Sequence, residues 1–294
     1  MIRFFFAICV LAVWNPALSH SSWFIPAKIA IKNQNSPDTI WLDARNESLY
    51  RRSHLEGAFS LEWEELSQPY LPSRGNLLSL PELTRKIEKL GISNDSVVFV
   101  YGDPHRGWGE EGRIVWTLRS LGHRKAFVVD GGFPILQRLG AKITDRPTPP
   151  SKISGRFLAS PEPFFFISAE EIRNSLYSGR YAFIDTREER EFIGAVPYGE
   201  ARGGHLPGAV HIYYKELIGK SGEILPQEEV QNLLRKKGID GKKTIVTYCS
   251  GGVRSAFATA VLVSSGFKVL NYPGSMWEWS HRPEKQFPLV LGVR

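Results

Sequence analysis

The chain is written twice, and that repetition constrains its fold more than any other feature. Residues 80–102, LPELTRKIEKLGISNDSVVFVYG, return at 225–249 as LPQEEVQNLLRKKGIDGKKTIVTYC. In each copy a proline opens a helix, apolar residues recur at helical spacing, and Gly-Ile follows the last turn. A short apolar run comes next, SVVFVY or TIVTY, rich in β-formers and read as a buried strand. The match extends upstream, where IWLDAR (40–45) pairs with AFIDTR (182–187) and HLEGA (54–58) with HLPGA (205–209). Downstream, 113–132 pairs with 254–274, setting Arg113 opposite Arg254. Strands alternating with amphipathic helices predict an α/β fold of two tandem domains, each a mostly parallel sheet with helices on both faces. The expected bounds are 28–143 and 164–294, joined by an extended Pro- and Ser-rich linker at 144–163.

The N-terminus reads differently. Arg3, the apolar run FFFAICVLAVW and the small-x-small Ala17-Leu18-Ser19 form the pattern of a secretory signal peptide over residues 1–19. A periplasmic or secreted protein is expected, with no membrane segment after cleavage. The formal charge of +7 is scattered among acids rather than clustered, so nucleic acid is not an expected partner. Cleavage would remove Cys9, one of two cysteines, and leave Cys249 alone. An unpaired cysteine in an oxidising compartment points to a reactive thiol.

The two copies differ at that residue, because Gly102 stands where Cys249 does. Cys249 ends a strand and is followed by SGGVR, with a helix expected to begin near Ser255 or Ala256. The N–H groups of Ser250, Gly251, Gly252, Val253 and Arg254 can curl around the sulfur, Gly251 and Gly252 supplying left-handed backbone. The helix terminus and Arg254 add positive potential, so the thiol should ionise readily. The spacing Cys-x4-Arg is one residue tighter than the Cys-x5-Arg of cysteine phosphatases, where Ser255 now stands. The smaller ring suits a single sulfur atom on Cys249.

With its duplicated halves, Asp-x-Arg after the first strand, His-x-x-Gly-Ala and a cysteine loop closing onto a helix, the sequence resembles the rhodanese family. Within it, the likeness is to tandem-domain sulfurtransferases with an inactive first domain. The resemblance implies a double displacement in which Cys249 takes the outer sulfur of a donor, becomes a persulfide and passes the sulfur to a thiol or cyanide. It implies that the N–H groups of 250–254 hold the persulfide, that the Arg254 side chain assists, and that Arg187 or Arg190 faces the pocket between domains. Thiosulfate-preferring members carry basic residues where this loop has Ser250 and Gly251. The 3-mercaptopyruvate enzymes place a relay serine at the Gly251 position and threonine at Arg254. Thiosulfate is the preferred expectation, and 3-mercaptopyruvate or a persulfide carrier for a protein partner are the alternatives. A thiol-reducing protein is a candidate partner. No cluster has metal-ligand spacing and no nucleotide-binding motif occurs, so no cofactor is expected. Asp43, Asp185, His54 and His205 recur in both copies and read as structural; Trp108, Trp277 and Trp279 read as packing.

Overall fold

The computed structural model describes residues 22–151, 153–162 and 165–292. The signal-peptide reading at 1–19, with Cys9, lies outside the described residues. In chain order the first half contains β1 (Phe24–Pro26), α1 (Ala27–Ala30), β2 (Thr39–Asp43), α2 (Glu47–Arg52), β3 (His54–Leu55), β4 (Phe59–Ser60), α3 (Leu80–Lys89), β5 (Val97–Tyr101), α4 (Glu110–Ser120), β6 (Ala126–Asp130), α5 (Gly132–Arg138) and β7 (Ile143–Thr144). The second half contains α6 (Ala169–Ser175), β8 (Tyr181–Asp185), α7 (Glu189–Ile193), β9 (Val210–His211), α8 (Gln227–Lys236), β10 (Thr244–Tyr248), α9 (Val253–Ser264), β11 (Val269–Asn271) and α10 (Ser275–Trp279).

Two parallel sheets result, ordered β1-β6-β5-β2-β4 and β11-β10-β8-β9. Registers repeat: Tyr101 lies opposite Asp43, and Tyr248 opposite Asp185. Alternate side chains of each strand enter different cores, as the pleat requires. Leu42, Val98 and Val100 face one layer, whereas Trp41, Phe99 and Tyr101 face the layer of α1 and α5. The paired helices α3 and α8 bury Leu83 and Ile87, and Val230 and Leu234. Each ends at a glycine with positive φ, Gly91 or Gly238, which explains the repeated Gly-Ile.

The domains share a core. Helix α4 is buried from Glu111 to Ser120 and α9 from Val253 to Leu262, because each packs on its own sheet and on the other helix. They touch at Gly112, where a Cβ would come within 2.6 Å of the Phe257 backbone. The first sheet starts earlier than the expected residue 28, since Phe24–Pro26 pairs with β6. Three residues are too few to show alternation. Thr144, assigned to the linker, still pairs with His54. The connector then runs along the first domain, held by paired bonds between Asn94 and Leu158 and by Phe157, whose ring is buried.

Candidate active site

Cys249 follows the C-terminal end of β10, and only three residues separate it from the strand–helix junction completed by α9. The helix begins at Val253, not near Ser255, because Gly252 adopts φ 79° and caps it directly. Gly251 keeps ordinary backbone; its lack of a side chain matters for another reason, since a Cβ there would overlap the Trp277 ring. The carbonyls of Cys249 and Ser250 accept from the N–H groups of Met276 and Trp277 at the start of α10, at 3.0 and 2.9 Å. With its carbonyls held outward, the loop turns N–H groups inward.

The sulfur lies 3.1 Å from the Gly252 N–H and 3.6 Å from the Ser255 hydroxyl, whose single proton is shared between the sulfur and Asn271 Oδ1 at 2.6 Å. Burial by itself pushes the Cys249 thiol up. The Arg254 charge, the Ser255 N–H and hydroxyl and the Gly251 N–H outweigh burial, so the thiol ends below its ordinary value. Val253 opens the helix and packs into the shared core. An anion on Cys249 is therefore stabilised where a nucleophile needs it.

The Arg254 guanidinium does not lie on the sulfur. It pairs with Glu191 through two bonds of 2.6 and 2.8 Å, donates to Ser250 Oγ at 2.9 Å, and sits over Trp108 and Tyr198. Burial would lower its pKa, but Glu191 and Cys249 more than reverse that, and it stays charged. Ser250 likewise turns away from the sulfur, with its hydroxyl 2.9 Å from Glu191 and 2.8 Å from Glu200.

The choice between the two arginines of DTREER resolves. Arg187 is fully buried, paired with Asp185 at 2.6 Å and donating to the Gly204 carbonyl at 2.7 Å. Arg45 and Asp43 repeat this in the first half, also at 2.6 Å, so Arg187 belongs to the scaffold rather than the pocket. Arg190 is exposed, paired with Glu188 and donating to the Tyr198 hydroxyl at 3.2 Å; the Tyr198 carbonyl accepts from Trp277. The recurring histidines are also scaffold: His54 stacks on Tyr50 and His205 on Phe192, each at 3.7 Å.

Sequence reasoning missed Glu191, Glu200, Ser255 and Asn271 around the loop, and Arg113 from the first domain. It also equated Arg113 with Arg254 by motif. Helically they differ: Arg113 is the fourth residue of α4 and Arg254 the second of α9. At the first domain's own cysteine position, a Cβ on Gly102 would overlap the Glu111 carboxyl. The vestigial site is filled. Burial first, then repulsion from Glu110, raises Glu111 to about 8.

This raised acid has a consequence for stability. As pH climbs from the ordinary glutamate range toward 8, the unfolded chain releases the proton and the folded chain keeps it, so stability is lost over that window. Glu111→Gln cannot ionise and should escape the loss. Thermal unfolding should show the variant gaining about 3–4 kcal/mol over the parent between pH 5 and pH 8. A difference independent of pH would contradict a protonated, buried Glu111.

A lowered thiol in a ring of N–H donors, on one of two paired α/β domains, defines a protein of covalent group transfer. The sequence profile of the rhodanese-like domain matches residues 26–137 and again 168–282, and the chain belongs to the rhodanese family. It is 29% identical to a thiosulfate sulfurtransferase of Gallus gallus, over 84% of this chain and 85% of that one. It is 27% identical to a 3-mercaptopyruvate sulfurtransferase of Rattus norvegicus, over 94% and 88%. The fold also superposes, with a TM-score of 0.81 and 23% identity, on an anaerobic ergothioneine biosynthesis enzyme from Chlorobium limicola, covering 95% of this chain and 74% of that one. The protein is a sulfurtransferase of this family, with the persulfide chemistry that the family performs.

Proposed function

We propose that the sulfur donor is thiosulfate and that the acceptor is cyanide or a small thiol. The Cys249 thiolate attacks the outer sulfur of thiosulfate, the S–S bond breaks, and sulfite leaves with its electron pair. The acceptor then takes the outer sulfur of the persulfide and the thiolate returns. The observation that carries this reading is the contact between Gly251 and Trp277. No side chain fits at residue 251, so the relay serine of 3-mercaptopyruvate enzymes has no place here. Sulfite is a stable anion and leaves without a proton, whereas an enolate of pyruvate calls for one. Arg74 supports an anionic donor. Its guanidinium lies 4.6 Å over the Trp277 ring and has no carboxylate within ion-pair distance among the described residues.

The deciding comparison is kcat/KM for thiosulfate and 3-mercaptopyruvate on one preparation, with cyanide as acceptor. Thiosulfate should exceed 3-mercaptopyruvate by at least about tenfold, some 1.4 kcal/mol in transition-state binding. The reverse order would overturn the donor assignment and leave the persulfide mechanism standing. Loading by neither donor would favour a carrier charged by another protein. Gly251→Ser is a second check. Overpacking against Trp277 should destabilise the fold by about 1–3 kcal/mol without creating 3-mercaptopyruvate activity. A stable Gly251→Ser protein that gains this activity would show that the ring yields.

A further inference from the structure

The Arg254–Glu191 pair leaves a question about charge. Arg254 lowers the Cys249 thiol, but a cation already bound through two hydrogen bonds to a carboxylate spends part of its field on that partner. Yet Cys249 is 1% exposed, and a buried thiolate or persulfide anion needs a counter-charge.

Arg113 supplies one from the other domain. It is fully buried on α4, and no carboxylate lies within ion-pair distance of it among the described residues. An unpaired guanidinium is costly to bury, so its surroundings should explain it. Nη1 donates to the Gly252 carbonyl at 3.1 Å; Nη2 donates to the Gly75 carbonyl at 2.5 Å and to Ser67 Oγ at 3.0 Å. Nε has no hydrogen-bond partner among the described residues. The ring of Trp116 lies 4.9 Å from the guanidinium.

Gly252 is the residue whose N–H meets the sulfur and whose left-handed backbone starts α9. Gly75 packs against the other side of the loop, where a Cβ would come within 2.5 Å of the Gly251 carbonyl. Arg113 thus ties both flanks of the cysteine loop to the first domain. Burial lowers its pKa to about 10, partly offset by the nearby Cys249 and Glu64, so it keeps its proton at neutral pH. The charged groups facing Cys249 are Arg254 from α9, with Glu191 of α7 behind it, and Arg113 from α4, with Glu64 beside it.

We propose that Arg113, from the domain with Gly102 at the cysteine position, is a second counter-cation of the Cys249 thiolate and persulfide, beside Arg254, and the positioning residue of Gly252. The proposal rests on Cys249 being the nucleophile. It gives the first domain a part in the chemistry, which explains why a chain with one reactive thiol keeps two domains locked through α4 and α9.

The test is the pH dependence of Cys249 alkylation by iodoacetamide in the full chain, followed by the mass of the Cys249 peptide, with folding checked by circular dichroism. No sulfur donor is present, so a wrong donor assignment cannot produce a failure here. Arg113→Met should shift the thiolate titration upward and slow alkylation at pH 7 by about tenfold, equivalent to one pKa unit. Arg113→Lys keeps the charge but lacks the fork whose two nitrogens reach the Gly252 and Gly75 carbonyls separately. It should titrate near the parent and load persulfide about threefold more slowly from thiosulfate, or from whichever donor loads the parent. A folded Arg113→Met protein with the parent titration would overturn the counter-cation role. If the methionine variant does not fold, an Arg113→Lys protein with a titration shifted as far as tenfold would overturn that role too. Parental loading in the lysine variant would overturn the positioning role.

Discussion

Cys249→Ser should reduce sulfur transfer to the uncatalysed background. The parent protein should gain the mass of one sulfur atom on exposure to the donor and lose it to cyanide, and the variant should show neither change. The chemistry dictates this loss: a serine hydroxyl in the same ring of N–H donors is not ionised near neutral pH, and an alkoxide has no comparable affinity for sulfur. The scaffold should survive. The thiol is held by hydrogen bonds from Gly252 and Ser255 that a hydroxyl can also accept, so unfolding should move by no more than about 1 kcal/mol. The first domain cannot rescue activity, because Gly102 carries no thiol and the Glu111 carboxyl fills the space beside it. Any Cys249-independent transfer above background would mean that the reacting sulfur lies elsewhere.

The parts of this site visible in the sequence were those where the two copies could be read against each other. Asp43–Arg45 and Asp185–Arg187 recur in both halves, and both are buried ion pairs of the scaffold. Cys249 against Gly102 set the two loops apart, and the structure gives Cys249 a lowered thiol. The same comparison held a further signal that went unread. Aligning DARNESLY with DTREEREF sets Tyr50 on Phe192, both stacked on histidines, and sets Leu49 on Glu191. An acid where the first copy has leucine sets the two halves apart as the cysteine does. Arg113 lay beyond such reasoning, because it works across the domain boundary and its partners are carbonyls, which no side-chain pattern reveals. The start of α9 was misplaced for a local reason: Gly251 and Gly252 look alike as letters, but one sets the backbone and the other makes room for Trp277.

Glu191→Ala should separate the stability of the site from its reactivity. The carboxylate is fully buried, holds Arg254 through two bonds, meets the Ser250 hydroxyl, and accepts from the Glu188 N–H at 3.1 Å to cap α7. Removing one partner of a buried ion pair strands the other charge, and the expected cost is about 3–5 kcal/mol, measurable by urea unfolding. The thiol should move the opposite way. With its carboxylate gone, Arg254 exerts more of its charge on Cys249, so the thiolate should form at lower pH and alkylation below the parent titration should quicken. Glu200 limits the gain, because it lies 2.8 Å from Ser250 Oγ, which in turn accepts from Arg254. A less stable protein with a more acidic thiol would show that Glu191 restrains Arg254 as well as anchoring it. A less stable protein whose thiol titrates at higher pH would instead mean that Glu191 holds the loop in shape, and that geometry outweighs charge in setting the reactivity of Cys249.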